Sequence, residues 1–269
     1  LVSMSHEIPS AHLPNLRDVG GWPTTSGASL RPGTLLRSAA LSDPGVATDP
    51  VVGALGLDVV VDMRTAAEAG RRPDHLPRGA RLVQVDILAS TVGSFASLAG
   101  ALPAAVAEGR VSPDAFLADL DARAVMGRTY QQFVTEPSAR AGFAEVARTV
   151  LRAAGRPALL HCTAGKDRTG WAVAVLMTTV GATRDAVFEE YLAVSPAVRA
   201  LFAPDLERAA AVGLDAERLR PLLDVDSSYL QAAFDRVDTD FGGFDGYLHA
   251  GLGLEDGELG ALRAALVDA

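Results

Sequence analysis

One cysteine, Cys162, stands in a chain of 269 residues. A lone thiol excludes a disulfide within the chain and any cysteine-rich zinc site. The five histidines, His6, His12, His75, His161 and His249, fall at no ligand spacing, so no metal and no other cofactor is expected. Basic residues are in deficit: 24 Lys and Arg against 33 Asp and Glu give a formal charge of −9 and a pI near 5.0. Nucleic acid wants a basic face and is not an expected partner. The longest apolar stretch, 171–180, is about half a membrane span, so no span is expected. The N-terminus lacks an apolar core of signal-peptide length; the expected compartment is cytoplasmic, with export by another route left open. Repeats, low-complexity tracts and linkers are missing too, which favours one domain over 1–269.

Apolar residues make up 49% of the chain and charged ones 21%, an ordinary globular composition. Short apolar runs at 34–38, 57–61 and 81–86 read as strands. Helical patterns at 49–55, 137–154, 170–180 and 183–194 alternate with them, and others follow at 197–211, 225–237 and 255–267. That order predicts an α/β fold with a central, mostly parallel sheet flanked by helices. Residues 87–128 and 196–232 read as extra helical insertions. Glycine-rich turns are expected at 15–21, 27–33 and 242–253.

The most informative stretch is 157–170, Pro-Ala-Leu-Leu-His-Cys-Thr-Ala-Gly-Lys-Asp-Arg-Thr-Gly. An apolar strand ends in His161 and Cys162, a tight loop follows, and a buried helix begins at about Trp171. Such a loop can cradle an oxyanion: the N–H groups of Thr163, Ala164, Gly165, Lys166, Asp167 and Arg168 can turn to one centre, and the helix N-terminus adds positive potential. Arg168 offers a planar fork for two phosphate oxygens. The same field stabilises a thiolate on Cys162, placed for in-line attack on phosphorus, and the Thr169 hydroxyl can donate to that sulfur. A nucleotide-binding Walker loop is excluded, since Leu160 stands where it needs glycine and Asp167 where it needs Ser or Thr.

His161, Cys162, Arg168 and Thr169 resemble the His-Cys, five residues, Arg, Ser/Thr loop of cysteine-dependent phosphatases. The fuller Ala-Gly-Lys-Asp-Arg-Thr-Gly at 164–170 is similar to the bacterial tyrosine phosphatases with atypical, lipid-phosphatase-like loops. The similarity extends to Asn-Leu-Arg-Asp-Val-Gly-Gly at 15–21, Leu-Arg-Ser at 36–38, Val-Asp-Met-Arg-Thr at 61–65 with Glu68, and Gly-Gly-Phe-Asp-Gly-Tyr-Leu at 242–248. The resemblance implies a metal-independent phosphomonoesterase acting through a cysteinyl-phosphate. Its substrates would be phosphorylated proteins or phosphoinositides, and its product inorganic phosphate. A silent phosphate-binding module and sulfur transfer on a similar loop are the alternatives. The insertions at 87–128 and 196–232 match segments that form a lid in that family; plain packing on the core is the other reading.

Two aspartates compete to protonate the leaving group. Asp167 lies within the loop, where the resemblance puts the acid, but Lys166 and Arg168 would favour its ionised form. Asp62 comes from a neighbouring strand end and can act as acid or as support for the loop. Lys166 is the position at which inositol-lipid phosphatases meet a second phosphate. His161 is expected to orient the loop through a backbone hydrogen bond. Arg17, Asp18, Arg37, Arg64 and Glu68 read as ion pairs bracing the sheet end. Trp22-Pro23-Thr24 lacks the aspartate of a mobile acid loop and reads as a packed turn.

Overall fold

The computed structural model describes residues 6–89, 106, 108–109, 112 and 120–268. Among the described residues, five strands form one sheet in the order β1-β2-β5-β3-β4. They are β1 (Arg17–Asp18), β2 (Leu35–Ser38), β3 (Val59–Asp62), β4 (Arg81–Gln84) and β5 (Ala158–His161). The four longer strands run parallel, and only the short β1 pairs antiparallel, with β2. Alternation along the strands divides the core. Val59, Val61, Ala158 and Leu160 face the larger cluster, whereas Leu36, Val60 and Leu159 face a smaller one with Leu13, Leu16 and Leu41.

Helices cover both faces. Asp49 caps α1 (Pro50–Ala54), and Thr65 caps α2 (Ala66–Arg71) through a capping box with Glu68. The larger cluster receives α3 (Ala122–Thr135), α4 (Pro137–Ala153), α5 (Asp167–Thr179) and α6 (Arg184–Leu192). The same cluster also takes in α7 (Ser195–Ala211), α8 (Ala216–Leu223), α9 (Ser227–Phe241) and α10 (Asp256–Leu266), through residues such as Val198, Leu219, Tyr229 and Leu262. Residues 196–232 thus fold as two helices and the start of a third. Most of the expected insertion at 87–128 lies outside the described residues.

The differences from the sequence reading have local causes. Arg17–Asp18 pairs as a strand inside a turn-rich stretch, because β2 offers it a free edge. β4 stops at Gln84 and is largely exposed, as suits an edge strand. Residues 244–251 continue as helix, α-helical at Phe244–Gly246 and π-helical at Tyr247–Gly251, rather than turning freely. A Cβ at Gly246 would come within 2.0 Å of the Phe241 carbonyl oxygen, so glycine permits the close winding. Trp22 packs against the core and stacks on His6, with ring centroids 4.9 Å apart.

Candidate active site

β5 lies between β2 and β3, and its C-terminal end leads straight into Cys162. In parallel α/β sheets this end is where ligands collect. The following helix starts at Asp167 rather than near Trp171, so Asp167, Arg168 and Thr169 form its first turn. Between strand and helix the carbonyls of residues 162–165 are each met by a donor from outside that turn. The His161 ring donates from Nδ1 to Cys162 O at 3.0 Å, and Ala40 N–H donates to Thr163 O at 3.1 Å. Asn15 Nδ2 donates to Ala164 O at 3.0 Å, and Arg37 Nη2 to Gly165 O at 2.7 Å. A trans peptide points its N–H opposite its C=O. Carbonyls fixed outward at 162–165 therefore turn the N–H groups of Thr163, Ala164, Gly165 and Lys166 inward.

This curl needs glycine at one point. Gly165 has φ of +66°, and a Cβ there would lie 2.2 Å from the Ser38 carbonyl oxygen. Asn15 also takes a left-handed φ of 56°, which asparagine tolerates, and so aims its amide at the loop. The Arg37 charge is fully buried and is met by Glu190 at 2.6 Å.

Cys162 sits at the base of the loop, 3% exposed. Arg168 is held in a two-pronged pair with Glu68, at 2.8 and 3.0 Å, and Nη1 also donates to Met63 O at 3.2 Å. The Thr163 hydroxyl donates to the same Glu68 at 2.8 Å. Burial alone would lower the Arg168 pKa, but Cys162, Glu68 and Asp167 outweigh it and hold it above the ordinary arginine value. The buried Thr169 hydroxyl has no hydrogen-bond partner among the described residues.

The two aspartates are placed differently. Asp62 gives both oxygens to Arg64, at 2.9 Å from Nε and 2.8 Å from Nη2. Arg64 Nη2 also reaches Asp74 at 2.9 Å, and His161 Nε2 lies 3.1 Å from the same Asp74 oxygen. Asp62, Asp74 and His161 come close enough to hold a metal, but Arg64 already puts a cation between the carboxylates. Asp167 is 19% exposed at its side chain and accepts from the Tyr130 hydroxyl at 3.0 Å. Lys166 is buried and turned to the helical layer, donating to Leu222 O and Asp224 O, both at 2.9 Å. A cavity of about 610 Å³ opens beside Thr163 and Glu68, with Leu201, Phe202 and Arg208 of α7 on its other wall.

The sequence matches the family described as the tyrosine phosphatase family over residues 8–268. The chain belongs to that family. It is 31% identical over 261 residues to a Cupriavidus necator protein named as a tyrosine-protein phosphatase, covering 94% of this chain and 87% of that one. It is 30% identical over 283 residues to the triple specificity protein phosphatase PtpB of Mycobacterium tuberculosis, covering 97% of this chain and 98% of that one. Among the described residues of this phosphatase, no helix is long and apolar enough to cross a membrane.

The geometry of the phosphatase gathers His161 and the backbone of 162–169 in one place, turns the Lys166 side chain away to α8, and leaves Asp62 engaged by Arg64. From the sequence Glu68 reads only as a brace of the sheet end, yet it grips Arg168 and Thr163. The Thr65-x-x-Glu68 capping pattern could have placed that carboxylate at the helix start just past β3. Tyr130, Asp74 and Glu190 carried no signal, because each meets the loop or its supports only through the tertiary fold.

Proposed function

We propose that this phosphatase hydrolyses phosphotyrosine through a cysteinyl-phosphate on Cys162. The observation carrying this reading is the row of four outward-anchored carbonyls, which leaves four N–H groups and a buried guanidinium around one thiol. In the first step the Cys162 thiolate attacks phosphorus, the bond to the tyrosyl oxygen breaks, and Asp167 gives that oxygen its proton. Arg168 and the inward amides hold the three non-bridging oxygens, strongest where charge builds up in the transition state. In the second step Asp167 takes a proton from water, the water oxygen attacks phosphorus, and the P–S bond breaks. The Thr169 hydroxyl donates to the departing sulfur, and inorganic phosphate leaves.

The cavity beside Thr163 supports a substrate larger than phosphate, and α7 along its wall supports a lid that limits water entry. Activity on phosphoserine, phosphothreonine and phosphoinositides is the broader form of the reading, favoured by the triple-specificity name of the mycobacterial relative. For a phosphoinositide, Lys166 would have to exchange the carbonyls of Leu222 and Asp224 for a second phosphate. The chemistry needs a free thiol, which fits a cytoplasmic location.

Cys162→Ser should abolish turnover of p-nitrophenyl phosphate while vanadate still binds. Persistent turnover in that variant would sink the cysteinyl-phosphate route. Rates on a phosphotyrosine peptide and on phosphoinositides then rank the substrates.

A further inference from the structure

A chain of two buried phenols leads to Asp167. Tyr130 comes from α3 and Tyr191 from α6, and both are 0% exposed. The Tyr130 hydroxyl is 3.0 Å from Asp167 Oδ1 and 2.8 Å from the Tyr191 hydroxyl. A phenol has one proton to give. With Tyr130 donating to Asp167, the contact between the phenols must run from Tyr191 to Tyr130. Burial first, and then the negative charge of Asp167, hold both phenols well above the ordinary tyrosine range, so they remain neutral donors. The rings are fixed as well: Tyr130 packs against Phe133, Tyr191 and Tyr229 with centroids 5.3, 6.0 and 6.1 Å away.

Lys166 Nζ approaches the same Oδ1, at 3.3 Å. One oxygen of Asp167 thus faces two donors, and a carboxyl in that setting carries its proton on the other oxygen. We propose that Tyr130 is a positioning residue, which anchors Oδ1 and leaves Oδ2 as the atom that passes a proton to the leaving group. Tyr191 acts through Tyr130 by fixing the direction of its O–H. The proposal rests on Asp167 being the proton donor. No catalytic contact with substrate is assigned to either phenol.

The value of such anchoring depends on how much the leaving group needs a proton. A nitrophenolate departs with little help, whereas an unsubstituted phenolate or tyrosyl oxygen needs a well-aimed acid. The groups facing Asp167 are Lys166, Arg168 and Cys162 from the loop and α5, Tyr130 from α3, Tyr191 from α6 and Tyr229 from α9. Of these, Tyr130 donates to the carboxyl without bringing charge. Removing its hydroxyl takes away a donor that favours the ionised form, so the alkaline limb of the rate profile should move to higher pH.

The experiment compares Tyr130→Phe, Tyr191→Phe, the double variant and Asp167→Asn with wild type on a series of aryl phosphates. Tyr130→Phe should lower kcat about 10-fold on phenyl phosphate and less than about 2-fold on p-nitrophenyl phosphate, a fraction of the usual contribution of general acid catalysis. Its alkaline limb should rise. Tyr191→Phe should do the same to a smaller extent, and the double variant should be no worse than Tyr130→Phe. A folded Tyr130→Phe enzyme that loses rate equally on all leaving groups, or keeps the wild-type slope and limb, overturns the proposal. Should Tyr130→Phe fail to fold, Tyr191→Phe decides by the same two readouts. If Asp167→Asn retains the wild-type limb, the assignment of the acid fails and the positioning role falls with it. If Asp167→Asn loses the limb while the phenol variants leave it unmoved, only the positioning role is refuted.

Discussion

Asp62 and Asp167 are both aspartates close to Cys162, and their neighbours separate them. Asp62 is 1% exposed at its side chain and has both oxygens on Arg64, with a third bond from the Arg64 backbone N–H at 2.9 Å. A carboxylate so engaged has no oxygen to offer a leaving group. Asp62→Asn should therefore cost stability, on the order of 3 kcal/mol for a broken buried ion pair, while the alkaline limb of the rate profile persists. Urea unfolding and the pH–rate curve check the two halves separately, and loss of the limb would reinstate Asp62 as the acid. This contrast was not legible in the sequence, where each aspartate is equally close to a strand or helix end. Cys162, Arg168 and Thr169 were legible because their six- and seven-residue spacings act within one loop. Glu68, 100 residues before Arg168, and Glu190, 153 residues after Arg37, act through closure of the fold.

The loop and the helical layer meet as elements at the C-terminal end of α8. Lys166 places an ammonium on Leu222 O and Asp224 O, where the helix presents unpaired carbonyls and negative potential. The Asp224 side chain in turn accepts from Ser195 Oγ at 3.0 Å and Arg199 Nε at 2.6 Å, which ties the start of α7 to the same corner. One lysine in the phosphate loop thus anchors the end of α8 and, through Asp224, the start of α7, the helix that lines the cavity. Lys166→Met should leave the sheet intact, because β3 and β5 keep all their ladder partners. It should speed amide exchange across 216–223 about 10- to 100-fold, the scale of one or two lost charge-assisted hydrogen bonds. Hydrogen exchange read by mass spectrometry checks this, and uniform exchange across α8 and the strands alike would contradict it. The parallel sheet and α4 were legible because their apolar pattern reports burial directly, and α6 because Thr183 marks its start as an N-cap. The start of α5 was not: its first turn is polar, since Asp167 and Arg168 face the site rather than the core.

At the scale of the whole molecule, buried ion pairs join distant parts of the chain and make its stability depend on pH. Arg37–Glu190 links β2 to α6, Arg168–Glu68 links α5 to α2, and Arg64 joins Asp62 to Asp74. For Asp74, burial alone would raise the pKa, but His161, Arg64 and the Leu41 amide outweigh it and hold the carboxyl below the ordinary aspartate value. A depressed folded-state pKa means that the unfolded chain takes up the proton first as pH falls. The stabilisation is therefore full at neutral pH, begins to fade near the unfolded value of about 4, and is gone once pH passes below the folded value. Asp58 and Glu258 are also depressed, chiefly by hydrogen bonds from Arg156 and Arg148, but both lie part-exposed at the surface, where solvent screens such pairs, and contribute little. Asp74→Asn should thus be less stable than wild type at pH 7 by about 1–3 kcal/mol, with Arg64 still held by Asp62. Acidification should cost the variant less than the wild type, so their unfolding midpoints should converge below about pH 4. Midpoints that stay equally far apart down to acid unfolding would show that the loss comes from packing, and that the carboxylate between Arg64 and His161 does not govern the acid limit.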